Sequence, residues 1–323
     1  KVVIKNYGSN TVTSANVNYN INNSGVTTQS WTGSLATCDT AHVTFNTQYN
    51  FSTGANYIET YTTSPNGNTD SKRSNDSIKT SICTAMSGLY TINASGSGST
   101  NYTSFKNAVD ALICAGVSGP VTFSVAAGTY NERVVVPPIN GTSTTNTIVF
   151  DGGNGNAGSR IITFATTSTA LQVLQLKACN NITFRNLTIR STSTSTAWVA
   201  HFLDGVNNRI NNCVIDMTGT ATTSTSSAFT AVVMNGSNST ISTQSFFGNN
   251  NILDSNTISF GYYNVYVAMN ALTNTFITRN NTLNNSYLYG YFSNGNYSPI
   301  VSGNTLNLRT TTTSNYGIYF QNC

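Results

Sequence analysis

The sequence predicts an all-β chain in two parts. A β-sandwich occupies residues 1–84, and a parallel β-helix occupies 85–323, opened by one amphipathic helix at about 102–115. Three observations carry this. Short alternating strands broken by Gly, Pro and Asn turns fill the first part. Apolar strand runs recur at near-regular spacing through the second. Only 7% of the 323 residues are charged, while 38% are hydrophobic. Ordinary soluble domains carry roughly 25% charged residues. The chain therefore has enough apolar mass for a core and must keep its surface polar with Asn, Thr, Ser and Gly.

The first part contains the runs VVIKN (2–6), ANVNYNI (15–21), QSWTG (29–33), HVTFN (42–46), YIETYTT (57–63) and SIKTSI (77–82). Turn residues at 7–10, 23–25 and 64–68 separate them, and this spacing indicates a sandwich. Alternation in Val17, Tyr19, Ile21 and in Tyr57, Glu59, Tyr61 gives each strand one buried and one wet face. The run KVVIK reaches position 1, so the sequence reads as a mature segment or as a piece of something longer.

The helix is read from Phe105, Ala108, Val109, Leu112 and Ile113, which recur at i, i+3, i+4 spacing. Thr103 or Ser104 caps its start and Gly116 ends it. Strand runs then follow at 121–125, 133–137, 147–152, 160–164 and 171–176. Beyond 180 the repeat is explicit. One strand type carries an Asn at 186, 212, 256, 281 and 304. A second type ends in Asp204, Asn235, Asn270, Asn294 and Asn322. Short strands without helices in each repeat select a parallel β-helix among the solenoids. Asn tolerates left-handed backbone angles, and stacked amides bond coil to coil. Asn186, Asn212, Asn256, Asn281, Asn304, Asn235, Asn270, Asn294 and Asn322 are accordingly read as ladder residues. Like charges stacked at about 4.8 Å would repel, which explains the low charge content.

Composition narrows the functional classes. The densest basic pair is Lys72-Arg73, too little for a nucleic-acid groove. No apolar run approaches the roughly 18 residues of a membrane span. With two His (His42, His201), two Glu (Glu59, Glu132) and six Cys without C-x-x-C spacing, no metal site or cofactor is expected. The Ser/Thr/Asn-rich surface suggests an extracellular setting, where disulfides are permitted. Cys38 and Cys83 are candidates for pairing; the other four read equally as buried thiols.

Family resemblances refine this picture. VVIKNYGSNTVTSANVNYNI, LATCDTAHVTF and YIETYTTSPNGNTDSKRSNDSI resemble a CARDB-type domain, an immunoglobulin-like sandwich used as an adhesion or spacer module in bacterial surface proteins. The match covers nearly all of 1–84 without the family's first strand. Residues 86–323 resemble the right-handed parallel β-helix, or pectin-lyase-like, superfamily. The segment G-T-Y-N-E (128–132) is similar to the G-x-Y-x-E of its pectinesterase branch. Together the two parts resemble repetitive surface proteins of Bacteroidota exported by type IX secretion. That resemblance implies a secreted, cell-surface location and further domains or a surface partner. Asp39-Thr40-Ala41 and Asp76-Ser77-Ile78 resemble O-glycosylation sites of that phylum, with Thr40 and Ser77 as carriers.

The superfamily includes enzymes and non-enzymes. Q-D-T-L and G-x-x-D-F-I-F-G motifs of the esterases are absent, and Asp110, Glu132, Asp151, Asp204, Asp216 and Asp254 include no sequence-adjacent pair. Asp204 and Glu132 are read as ladder and first-coil residues. No catalytic residue is assigned. Binding is the stronger expectation. If Leu288, Phe292, Ile318 and Phe320 point inward, Tyr289, Tyr291 and Tyr319 point outward, in line with Tyr266 and His201. Such an aromatic wall suits polysaccharide, whose apolar ring faces stack and whose hydroxyls need polar partners; a purely structural tyrosine ladder is the competing reading. The alternative function is a carbohydrate-active enzyme: a polysaccharide lyase, glycoside hydrolase or esterase. The last run, YGIYFQNC, is a full strand without a cap, so further coils are expected after Cys323.

Overall fold

The computed structural model describes residues 1–51, 54–217, 225–271, 275–296, 298–310 and 314–323. They form two compact units, 1–84 and 85–323.

The first unit is antiparallel. Strands Val26–Leu35, Val12–Ile21, Gly54–Thr63 and Ser77–Thr84 lie side by side in that order, and Val2–Lys5 pairs with Thr40–Val43. Ile4, Val17, Leu35 and Val43 form the core between the two sheets. Asn22 and Asn23 turn the first hairpin with φ of 52° and 56°, a conformation Asn accepts more readily than other non-glycine residues. Asn66 fastens the turn at 64–68 to a neighbouring strand. Its Oδ1 accepts from the Thr13 N–H at 2.7 Å and its Nδ2 donates to the Thr11 carbonyl at 2.9 Å.

The Cys38–Cys83 pairing is corrected here. Cys38 is a free thiol, whereas Cys83 is disulfide-bonded. Cys38 occupies a left-handed turn, φ 70°, whose N–H donates to Asn6 beside the two-stranded sheet. Cys83 lies opposite Ala55 on the other sheet. Sequence alone offered no register to separate these positions.

The second unit is a parallel β-helix. Among the described residues, a nine-stranded sheet runs from the edge strand Asn101–Tyr102 through Met86–Ile92 to Ile300–Ser302, and two seven-stranded sheets run from Gly128–Asn131 to Thr305–Asn307 and from Val134–Val136 to Tyr316–Gln321. We call these the first, second and third sheets. The first-type runs of the sequence each divide into two strands, so a coil has three sides. Ile182–Arg185, Thr188–Ser191 and Ala197–Leu203 make one such coil. The division falls at a two-residue corner whose leading residue is left-handed: Asn186, Asn212, Ser255 and Asn280 have φ between 51° and 58°, and Gly303 has 63°.

This corner resolves the asparagine series into two columns. Asn186 and Asn212 hold the left-handed position. Asn256, Asn281 and Asn304 sit one residue later, in line with Leu187 and Cys213, and form the amide ladder. Asn281 Oδ1 accepts from Asn256 N–H at 2.9 Å, and Asn304 Oδ1 accepts from Asn281 N–H at 2.9 Å. Each Nδ2 donates to a carbonyl of an earlier coil: Asn256 to Ile210, Asn281 to Leu253 and Asn304 to Thr278. A second short ladder, Asn208 and Asn251, closes the opposite end of the first sheet's strands.

The second-type series forms no ladder. Asn235 pairs in register with Leu203, so Asp204 falls one residue out of line. A register shift between Ala268 and Ala271 displaces Asn270, which is exposed. Asn322 does reach Asn294, Nδ2 to Oδ1 at 3.3 Å, at the last coil only.

The bore is apolar where the helix meets it. Phe123, Phe150 and Phe184 stack at 4.9 and 4.4 Å, and Phe105 of helix Phe105–Ala115 packs edge-on to Tyr130 at 5.2 Å. Ser104 caps the helix by accepting from Asn107 N–H. Glu132 adds a second cap. Its two oxygens accept from the N–H groups of Phe105 and Lys106 at 2.9 and 2.8 Å. A carboxylate there satisfies two orphan donors and complements the helix dipole. Replacing Glu132 with Ala is therefore expected to cost about 1–2 kcal/mol, seen as a lower urea midpoint, with Glu132→Gln losing less. Among the described residues, no helix is long and apolar enough to cross a membrane.

Candidate functional site

The outer face of the third sheet carries the candidate binding residues. The strands there do not alternate strictly. Pairing skips one residue per coil, linking Tyr263 to Tyr289 and Val265 to Tyr291 while passing over Asn264 and Gly290. At the skipped position and the one after it, both side chains enter the core, as Val199–Ala200 and Ala231–Val232 do. Residues three apart therefore share the outer face. Tyr289 and Phe292 point outward and Tyr291 points inward, fully buried. This corrects the expected placement of Tyr291 and Phe292; an unpaired position shared by neighbouring strands, with two successive side chains turned inward, defeats period-two reasoning.

The result is a herringbone of rings. Tyr263, Tyr289 and Tyr316 stack at 5.3 and 5.2 Å. Tyr266, Phe292 and Tyr319 stack beside them at 5.0 and 5.6 Å. The two columns meet edge to face, Tyr263 to Tyr266 at 4.9 Å and Tyr289 to Phe292 at 5.1 Å. Offset stacks and T-contacts are the favoured aromatic geometries. Tyr289 and Phe292 each have a ring above and below, so they present edges outward more than faces. Exposure rises along the columns, from 5% at Tyr266 to 39% at Tyr319 and 46% at Tyr316. Burial raises the Tyr266 and Tyr289 pKa values, and at Tyr289 the neighbouring phenols Tyr262, Tyr316 and Tyr319 add to it. These hydroxyls remain donors at physiological pH.

His201 lies on the same face two coils earlier, in line with Gln175, Val233 and Tyr266. It is not solvent-exposed as alternation suggested; it is wholly buried. The segment after Asn235 folds back over this part of the sheet, which no local pattern announced. Arg133 donates to Gln172 and Gln175; Gln175 Nε2 donates to Asn238 Oδ1 at 2.7 Å and lies 3.0 Å from His201 Nδ1. Because Gln175 Oε1 already accepts from Arg133, its amide nitrogen faces the ring. Nδ1 is then the acceptor, and Nε2–H donates to Asn235 Oδ1 at 2.8 Å. Burial pushes the His201 pKa down to about 4, opposed by the Asn235 bond and aided by the Arg133 charge. The imidazole is a neutral strut that binds the covering segment.

The carboxylates of the β-helix are each engaged separately. Along the first sheet's outer face, one column reads Asp151, Arg185, Asn211, Asp254, Arg279. Asp151 pairs with Arg185 at 2.8 Å, and Asp254 pairs with Arg279 at 3.3 Å and with Arg209. Burial would raise both aspartates. At Asp151, bonds from Asn186, the Gly153 N–H and Arg185 outweigh it; at Asp254, bonds from Arg279, Asn280 and Ser255 and the Arg209 charge do so. Both pKa values fall below the usual carboxylate value, unsuited to a general acid. Three coils separate the two, about 14 Å at the inter-strand spacing of roughly 4.8 Å, beyond the 5–9.5 Å of paired glycosidase carboxylates. Asp216 binds Arg190 at 2.8 Å on the second sheet, and Asp204 accepts from Ser245 Oγ.

Two carboxyls do come together in the first unit, Asp70 and Asp76. Burial raises the Asp76 pKa, reinforced by the charge and hydrogen bond of Asp70 and opposed by Arg73. Sequence separation hid this pair. Thr40 and Ser77 are both exposed, each opening a strand. Among the described residues, no three His, Cys, Asp or Glu side chains are grouped to hold a metal.

No protein-family model matches the sequence, and no curated protein matches it. Among solved structures, the chain is similar to a pectin methylesterase in complex with a hexasaccharide, with 10% identity, a TM-score of 0.34, and coverage of 73% of this chain and 67% of that one. It is also similar to the rice weevil pectin methylesterase, with 14% identity, a TM-score of 0.35, and coverage of 72% and 89%. The likeness is one of fold.

Proposed function

We propose that this chain is a non-catalytic, polysaccharide-contacting segment of a secreted cell-surface protein. The β-helix is its rigid frame, and the outer face of the third sheet is its contact surface. The observation that carries this reading is the six-ring herringbone, which lines up five phenol side chains across three successive coils. Phenol hydroxyls held at regular spacing can bond sugar hydroxyls, and the exposed rings of Tyr316 and Tyr319 offer apolar faces. The separate pairing of each β-helix carboxylate favours binding over hydrolysis. The CARDB-type resemblance of 1–84 supports a role at a cell surface, in adhesion or as a stalk, with Thr40 and Ser77 as glycan carriers.

Affinity electrophoresis against a panel of neutral and acidic polysaccharides tests the reading. At least one polymer should retard the chain. Tyr289→Ala and Tyr319→Ala should each weaken binding by about tenfold, or roughly 1.4 kcal/mol, with circular dichroism unchanged. Retardation by no polymer, or retardation of both variants equal to that of wild type, would discard it. Methanol release from methyl-esterified pectin is not expected; its appearance would favour the carbohydrate-active alternative.

A further inference from the structure

Among the described residues, one coil of the β-helix sets polar side chains at three inward positions whose neighbours above and below are apolar. On the first sheet, Thr278 stands between Leu253 and Val301. On the third, Tyr291 stands between Val265 and Ile318, and Ser293 between Val267 and Phe320. All three polar substitutions fall in a single coil, the one spanning 276–296. They also compensate in size: one large ring enters where two side chains have shrunk, as close packing requires.

Thr278, Tyr291, Ser293 and Asn296 are each fully buried. The Tyr291 hydroxyl lies close to the side chains of Ser293, Asn296 and Thr278. Yet Tyr291 Oη, Thr278 Oγ1 and both Asn296 amide atoms make no aligned hydrogen bond with any protein group. Each buried polar atom left so costs about 1–3 kcal/mol, and four in one place point to an occupant.

We infer that the bore of this coil is a binding site for a small cluster of ordered water, held by Tyr291, Thr278 and Asn296. The donor set chooses the ligand. Asn296 Nδ2 must donate, so the occupant has to accept, which excludes a bare cation. Asn296 Oδ1 only accepts, so the occupant has to donate, which excludes a simple anion. Water does both, with the two to four polar partners that buried water requires.

The test is water–protein NOE and ROE spectroscopy on the 323-residue chain, with urea midpoints for wild type, Tyr291→Phe and Thr278→Val. Tyr291→Phe removes one oxygen and keeps the ring, and Thr278→Val keeps shape, so each variant reports on the site without opening a cavity. Long-lived water cross-peaks to the Asn296 side-chain amide are expected in wild type. They should be lost in Tyr291→Phe and weakened in Thr278→Val, and both midpoints should fall. Wild type without such cross-peaks, Tyr291→Phe retaining them in full, or a Tyr291→Phe midpoint equal to or above wild type would each overturn the inference. The last result is what removal of a merely orphaned hydroxyl gives.

Discussion

Acidification from pH 7 to pH 4 is expected to destabilise the β-helix by about 3 kcal/mol through His201 alone, since its pKa falls from an ordinary 6.5 to about 4 on folding. The sign follows from proton uptake. The folded pKa is depressed, so below 6.5 the unfolded chain binds a proton that the folded chain refuses. The contribution is complete above 6.5 and is lost as pH falls towards 4. Below that, the protonated ring would turn Nδ1 into a second donor facing Gln175 Nε2, beside the Arg133 charge, and the covering segment would lose its strut. Urea denaturation across pH 7 to 4 should show the slope in wild type and a flat response in His201→Gln. Asp151 and Asp254, depressed below 3.8, lose their contributions at still lower pH, outside this window. Asp76, raised, acts in the opposite direction in the other unit. An equal slope in His201→Gln would refute the assignment.

Replacing Asn281 with Ala is expected to cost about 3 kcal/mol, because it strands several buried groups at once. Asn256 loses the acceptor of its N–H and Nδ2, and the Leu253 carbonyl loses its donor. Asn186→Ala makes the informative contrast. Asn186 is left-handed with φ 58°, and its amide reaches only Asp151, so the loss should be nearer 1–2 kcal/mol, mostly backbone strain. Chemical denaturation of both variants separates the two roles. Equal losses would mean the columns are energetically one.

Much of the architecture was legible because stacking imposes periodicity. Parallel coils demand recurring apolar runs, Asn at the corners and few charges, and all three are visible in one sequence. The helix was equally plain from Phe105 to Ile113. Registers were not legible. A corner of two residues let Asn186 and Asn256 look equivalent while they do different work. The unpaired position shared by neighbouring strands of the third sheet exchanged the directions of Tyr291 and Phe292. The burial of His201 depends on a segment some forty residues further on, and the Asp70–Asp76 encounter on a loop, neither of which periodicity reports. The aromatic wall was found, but its rings proved to stack on one another, which moves the exposed chemistry from ring faces to hydroxyl edges.

The charged column on the first sheet bears on how such a chain can grow. A repeat protein lengthens by copying coils. The Asn256–Asn281–Asn304 ladder tolerates a copy, since every asparagine performs the same task for its neighbour and an added one simply joins the queue. The column that sets Asp254 beside Arg279 obeys parity instead. Duplicating the Arg279 coil would place two arginines on adjacent rungs, and deleting the Asp254 coil would bring Asn211 against Arg279 and leave Arg209 without its carboxylate. The amides permit lengthening by any number of turns, while the ion pairs mark the coils whose order cannot be shuffled.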